Sequence, residues 1–181
     1  MAGRNPHQAL EAYLDPLKRA VSCVTLSQLA VSGRDLESQP HVLLLNRGEP
    51  AALKGGLTLT LTQRYEIVEG PGERGPWKVS TRAYHYALDD KDGREVLAYH
   101  WHPPSHAKPH LHLGAGAEIG CQALTKAHLP TGRIAIEDFL RMSVEELGVV
   151  PLREDWREVL GQSLEVFEAW RTWPGSAAGA T

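Results

Sequence analysis

The sequence has few cysteines and no long hydrophobic run. Only two of its 181 residues are cysteine, Cys23 and Cys121, and their wide spacing excludes a CxxC motif. Buried, reduced thiols are predicted for a cytosolic protein, with a structural disulfide as the alternative. No stretch of roughly 18 uncharged apolar residues is present, and no signal-peptide layout is found, so we expect a cytoplasmic protein without a membrane span. A formal net charge of −3 gives no overall basic character, so nucleic-acid binding would need a local basic patch.

Six segments have the composition of β-strands and are separated by short turns. The clearest is 57–68, where leucine alternates with threonine. For residues 24–31, a short helix is the alternative prediction. Short connections favour an antiparallel meander of consecutive strands. The predicted strands span residues 24–31, 41–46, 57–68, 77–88, 94–102 and 109–114.

Helical periodicity is confined to the two ends of the chain. Asn5 and Pro6 suit the N-cap and the first position of an N-terminal helix. Two further helices are predicted over 134–147 and 152–173. The last helix carries one apolar stripe, which we expect to pack on the sheet: Trp156, Leu160, Leu164, Phe167 and Trp170.

These patterns together predict an α+β fold. We expect an antiparallel β-meander sheet with an N-terminal helix and two C-terminal helices packed on one face. A chain of this length suits a single domain, placed at 1–175 and followed by a flexible tail at 176–181.

The segment HWHPPSHAKPHLHLG, residues 100–114, holds five of the nine histidines of the chain. Side chains at i and i+2 of a strand point the same way. His100 and His102 therefore share a face of the sheet, as do His110 and His112. The alternate positions carry apolar residues, so the pattern predicts histidines on one face and core residues on the other.

Pairing of these two strands would bring the four histidines together. With residues 103–109 as the hairpin loop, His102 lies opposite His110 and His100 lies opposite His112. Directly opposed Cβ atoms are about 4.5–5.5 Å apart. The hairpin therefore predicts a square of imidazoles, unless the register slips by one residue.

The preceding hairpin adds a fifth histidine to this group. If Asp89 pairs with Arg94 across the turn, His85 pairs with Ala98 and lies diagonal to His100. The other face of these strands is mostly apolar and aromatic, so we expect the helices to cover it. Its residues are Arg82, Tyr84, Tyr86, Leu97, Tyr99, Trp101, Leu111 and Leu113.

Acid–base catalysis is the first of three interpretations of this histidine group. One imidazole can activate a ribose 2′-hydroxyl while another protonates the leaving oxygen, which cleaves RNA. A nearby cation, such as Lys108 with Arg82 or Arg133, can stabilise the developing negative charge. The candidate catalytic residues are His85, His100, His102, His110, His112, Lys108 and Arg82.

Metal binding is the second interpretation, and a solvated polar face without chemistry is the third. Two HxH pairs can supply three or four nitrogens to a divalent Zn, Fe or Mn ion. Glu118 is the nearest downstream carboxylate, and the lack of a clear carboxylate partner favours a metal-free site. The candidate metal ligands are His100, His102, His110 and His112.

Residues 84–114 resemble the TumE-like family, a group named after the toxin of a bacterial toxin–antitoxin pair. The likeness rests on Tyr84 and Tyr86, an Asp92-Gly93 turn, Tyr99, and the His-x-His segment at 110–112, and it extends over about residues 57–147. The resemblance implies a bacterial, cytoplasmic protein paired with a small DNA-binding antitoxin. It implies no catalytic residues.

The leading functional prediction is a TumE-like toxin that acts on RNA through its histidine-rich sheet face. The alternative is a metal-binding enzyme that uses the same histidines. A third prediction, from a different class, is a non-catalytic domain that binds a partner such as a small helix-turn-helix antitoxin.

Overall fold

The computed structural model describes residues 2–32, 40–69, 75–103 and 105–170. Within these ranges the helices are α1 (Pro6–Val21), α2 (Ile136–Glu145) and α3 (Trp156–Glu168). The strands are β1 (Ala2–Gly3), β2 (Leu29–Val31), β3 (His41–Leu45), β4 (Ala51–Ala52), β5 (Thr58–Glu69), β6 (Trp77–Asp89), β7 (Glu95–His102), β8 (His106–Leu113) and β9 (Leu129–Pro130).

The strands form one antiparallel sheet, which confirms the predicted α+β class. The order is β2-β3-β5-β6-β7-β8-β9, with β1 paired to β6 and β4 paired to β5. The strand predicted at 24–31 is shorter than expected, and β8 begins at His106 and not at 109. The loop between β7 and β8 is therefore shorter than the predicted 103–109.

Helix α1 begins where the sequence predicts, because Asn5 caps it. The Asn5 side-chain oxygen accepts a hydrogen bond from the backbone N–H of Gln8 at 2.9 Å, and Pro6 occupies the first turn, where its missing N–H leaves no bond unmade. The helix packs on β5 and β6 and on both C-terminal helices.

The face of the sheet under the helices, which we call the helix face, holds the main core. Tyr86 and Leu88 on β6 are fully buried there, and the ring of Phe139 in α2 lies 5.7 Å from that of Tyr86. Four residues of the stripe on α3 join this core: Trp156 and Leu160 are buried in it, and Phe167 and Trp170 pack against it. Helix α3 faces α1 and α2 more than the sheet, because its main contacts are with these two helices.

Other expectations from the sequence concern the thiols, the membrane and the tail. Both cysteines are free thiols, but only Cys23 is buried and Cys121 is exposed. None of the helices in the described residues is long and apolar enough to cross a membrane. The predicted tail at 176–181 and its boundary at 175 lie outside the described residues.

Replacing Trp156 with alanine should destabilise the protein, because the side chain is 5% exposed and fills the space between the helices. We expect the free energy of unfolding to fall by about 3–5 kcal/mol. Urea denaturation followed by circular dichroism measures this change. Leu152→Ala is a suitable control, since that side chain is 42% exposed; its cost should stay near 0.5 kcal/mol or below. An unchanged midpoint for Trp156→Ala would refute the packing.

Candidate functional site

The sheet face opposite the helices carries a cluster of imidazoles, and we call it the histidine face. His85, His100 and His110 lie in one row across β6, β7 and β8. The ring centroid of His100 is 4.4 Å from that of His85 and 5.4 Å from that of His110. It is also 5.5 Å from His102 and 5.7 Å from His112. The predicted grouping of these five histidines on one face is confirmed.

The predicted partners within the β7–β8 hairpin are wrong, although the predicted face is right. His100 pairs with His110, and His102 pairs with His106. Because the loop is short, pairing of β7 with β8 already begins at His102 and His106, close to the turn. The register then shifts, so that β8 bulges around Pro109. A bulge tolerates proline, because the missing N–H is not needed for the ladder there.

The predicted register between β6 and β7 is also wrong, by the same two residues. His85 pairs directly with His100, whereas the sequence suggested that it pairs with Ala98. One residue of the difference comes from the turn, because Asp89 pairs with Glu95 and not with Arg94, and the other comes from a bulge between Leu88 and Asp89. Direct pairing brings the two imidazoles closer than the predicted diagonal arrangement.

That bulge places a carboxylate on the histidine face. Leu88 pairs with Leu97 but Asp89 pairs with Glu95, so Val96 is an extra residue in β7. One extra residue reverses the alternation of faces from that point onward. Glu95 therefore lies on the same face as the histidines and not on the helix face.

Glu95 reaches three of the histidines. One nitrogen of His85, one of His100 and a carboxylate oxygen of Glu95 all lie within 4.8 Å of one another. The Nδ1 atom of His112 is 3.6 Å from Glu95 Oε1. Ala98 lies between Glu95 and His100 along β7, and its small side chain leaves room for the carboxylate to extend towards the imidazoles.

The expectation that no carboxylate lies near the histidines is therefore wrong. The one identified from the sequence, Glu118, is exposed and 3.3 Å from Arg94 Nη2. Strict alternation along β7 assigns Glu95 to the helix face, and only the bulge reverses this assignment. Nothing in the local sequence marks the position of that bulge.

The histidines around Glu95 are half-buried, and each has one buried ring nitrogen without a partner in the described part of the chain. The Nε2 atoms of His85, His100 and His112 are buried without a hydrogen-bond partner among the described residues. Burial, with a further contribution from the neighbouring histidines, lowers the pKa of His100 to about 3. Burial also lowers the pKa of His85, although Glu95 acts in the opposite direction. His100 is thus neutral at pH 7 and presents a nitrogen lone pair.

Two histidines that the sequence did not assign to the site extend the cluster at its outer edge. His128 lies in the segment before β9. Its ring centroid is 4.7 Å from that of His106, 4.7 Å from that of His110 and 4.6 Å from that of His112. The predicted hairpin places His106 in its loop, although the even spacing of His106 from His110 and His112 indicates the same face of a strand. His128 carries no such signal, because tertiary structure alone brings it to β8.

The predicted cations lie at the margin of the cluster. Lys108 is exposed, and its contact with the cluster is made by its backbone carbonyl, which lies 3.2 Å from His110 Nδ1. Arg82 is the extra residue of a bulge between β5 and β6, and it forms an ion pair with Glu66 at 2.6 Å. The structure therefore groups the five predicted histidines but neither of these two cations.

Comparison of the chain with protein-family models, curated proteins and solved structures finds no significant match. Membership of the TumE-like family therefore stays a prediction. The geometry itself offers two kinds of chemistry, since neutral imidazoles beside one carboxylate can hold a metal ion or transfer protons.

We expect His100 to remain neutral from pH 8 down to about 5 in metal-free protein, because its burial among other imidazoles disfavours the charged form. Ring-nitrogen NMR spectra recorded in EDTA measure this, with the His100→Gln variant identifying the signal. A histidine model peptide, with its midpoint near about 6.5, is the control. A His100 midpoint close to that of the peptide would contradict the described environment.

Proposed function

We propose that this protein is a metal-dependent enzyme whose active centre lies on the histidine face. Its ligands are His85, His100 and Glu95. The observation that carries the proposal is the approach of one nitrogen of His85, one of His100 and a carboxylate oxygen of Glu95 to within 4.8 Å of one another, on two histidines whose Nε2 atoms are buried and unpartnered among the described residues. A divalent transition-metal ion would bind these three side chains together.

The energetics of burial support a metal ligand role for these side chains. A buried polar atom left without a partner costs about 1–3 kcal/mol, so proteins rarely bury several such atoms together. An imidazole must also be neutral to coordinate a metal, and His100 is neutral at pH 7. Burying these side chains without an ion therefore raises the free energy of the folded protein, and coordination of an ion lowers it.

The distances fit a site that closes around an ion after small side-chain rotations. Metal–ligand bonds of about 2.0–2.2 Å hold neighbouring ligand atoms roughly 3–4 Å apart. The three candidate atoms lie within 4.8 Å of one another, on strands that the sheet holds rigidly. His112, at 3.6 Å from Glu95 Oε1, would orient the carboxylate or become a fourth ligand.

Two histidines and one carboxylate define the chemistry that such a centre supports. This ligand set is found in catalytic zinc sites and in mononuclear iron(II) sites, and both leave coordination positions open for water or substrate. An ion held there would activate water or polarise a substrate oxygen. We therefore assign iron(II) or zinc to the site.

Metal analysis of untagged protein tests the assignment. Protein stripped with EDTA is reloaded with Fe(II), under anaerobic conditions, or with Zn(II), and its metal content is measured by mass spectrometry. We expect the unaltered protein to bind one ion more per chain than Glu95→Gln or His85→Ala. The affinity of the site should fall by more than the roughly 10–100-fold typical of losing an outer-shell partner.

His7→Ala provides the matched control, since His7 is exposed on α1 away from the sheet face. This variant should bind as many ions as the unaltered protein. Circular dichroism spectra should show that Glu95→Gln and His85→Ala are folded. Unchanged metal content in both of these variants would overturn the assignment.

RNA cleavage is a second candidate function, and a pocket beside the histidine face favours it. The pocket has a volume of about 450 Å³, and Arg64, Arg82, Arg133 and Trp101 contribute to its lining. The Arg133 guanidinium lies 3.4 Å from the centre of the Trp101 ring. Guanidinium groups with an aromatic ring suit the phosphates and bases of single-stranded RNA.

The pocket adjoins the histidines at His102. Burial and the neighbouring His110 and His106 lower the pKa of His102, and the charge of Arg64 adds to this effect. A strand of RNA bound over the arginines would therefore place a phosphodiester next to an imidazole. The role as a cytoplasmic toxin paired with a helix-turn-helix antitoxin belongs to this second candidate.

A fluorescently labelled single-stranded RNA tests this function. If RNA is the substrate, the Arg64→Ala variant should bind it more weakly and reduce the salt dependence of binding by about one unit of slope. Arg19→Ala, on the exposed side of α1, is the control and should bind RNA normally. Cleavage that survives EDTA but needs His102 would favour metal-free acid–base catalysis. Absence of binding and cleavage would refute an RNA substrate.

A further inference from the structure

We propose that a second metal ion binds at the outer edge of the histidine face, held by His106, His110 and His128. These three ligands differ from His85, His100 and Glu95, which form the inner site proposed above, so the proposal does not depend on the proposed enzymatic function. Two of them come from β8, and the third comes from the segment that precedes β9.

The spacing of the three rings matches that of imidazoles around one ion. Their centroids are 5.1 Å apart for His106 and His110, 4.7 Å for His106 and His128, and 4.7 Å for His110 and His128. A metal–nitrogen bond of about 2.0–2.1 Å places each ring centre roughly 3 Å from the ion, so ligand rings lie roughly 4.5–5.2 Å apart. All three observed distances fall in this range.

His110 is already held in the orientation that a ligand requires. Its side chain is buried at 5% exposure, and its Nδ1 lies 3.2 Å from the backbone oxygen of Lys108. Because a carbonyl oxygen only accepts hydrogen bonds, Nδ1 carries the proton and Nε2 keeps its lone pair. Metal-binding histidines commonly have such a backbone partner, which fixes the tautomer and the ring orientation.

His106 and His128 are free to complete the site by rotation. Their rings are stacked, with 9° between the planes, so their nitrogens do not yet converge on one point. Both side chains are exposed, and rotation about their side-chain bonds meets little obstruction. Of the three ligands, only His110 must be held in its orientation before an ion binds, and its burial and backbone contact hold it there.

The two sites are neighbours on the histidine face but use different ligands, the inner set from β6 and β7 and most of the outer set from β8. The Nδ1 atom of His112 lies 3.6 Å from Glu95 of the inner site, although its ring is also 4.6 Å from that of His128, whereas the ring of His110 contacts both His106 and His128. The rings of His110 and His112 are 6.4 Å apart and nearly perpendicular, so each can serve a different ion. Of the seven histidines on this face, His102 belongs to neither site, and the two neighbouring sites account for the other six: His85, His100, His106, His110, His112 and His128.

Titration of untagged, metal-free protein with Zn(II), followed by isothermal calorimetry, tests the outer site. We expect two ions per chain for the unaltered protein. The double variant His106→Ala with His128→Ala should bind one ion, because it keeps the inner site. Both substitutions are at exposed positions, so folding should be unaffected. His7→Ala should still bind two ions.

The inner and outer sites can fail separately in this experiment. Glu95→Gln should keep the outer ion, and with Co(II) in place of Zn(II) its visible absorption should disappear once His106 and His128 are also replaced. An unchanged ion count in the outer double variant would overturn the second site and leave the inner site standing. Loss of one ion in the outer variant alone, with none lost in Glu95→Gln, would support the outer site and refute the inner one.

Discussion

The register of β6, β7 and β8 is the constraint on which both faces of the sheet depend. Tyr86 pairs with Tyr99 and Leu88 with Leu97 on the face that the helices cover. A slip of one residue would expose this set to water and turn the histidines into the core. Burial of each large apolar side chain contributes about 1.5–3 kcal/mol, so exposing several would exceed the typical total stability of about 5–15 kcal/mol. The core therefore holds the histidines in place.

Bulges in β7 and β8 change which side chains lie on the histidine face. The extra residue Val96 costs local ladder bonding, but it turns Glu95 from the core face to the histidine face. A charged carboxylate under the helices would be strongly destabilising, so the bulge also protects the core. The bulge at Pro109 pulls His106 alongside His102 and lengthens the row of imidazoles on β8. Sites and bulges often occur together in sheets for this reason.

The histidine face costs free energy of folding in the absence of a ligand. Three imidazole nitrogens are buried there without partners, and crowding disfavours the charged form of His100. The opposite face supplies the compensating stability through a core that includes Phe139 and Leu160. An ion that binds only the folded chain would add its binding free energy to folding, so metal and stability should be linked.

The sequence by itself determined the fold class, most of the strands and the face on which the predicted histidines lie. Those features follow from local rules: leucine and threonine alternate along β5, Asn5 and Pro6 start α1, and histidines recur at every second position. Such rules act over a few residues, so they can be read from the chain directly.

Only the tertiary structure decided the register and the membership of the candidate site. The bulge at Val96 depends on how the whole β6–β7 pair packs under the helices, and it brings in Glu95. His128 is 16 residues from His112 in sequence, yet their rings are 4.6 Å apart because β9 folds back along β8. Contacts of this kind arise from the packing of distant segments, and the alternation of nearby residues carries no information about them.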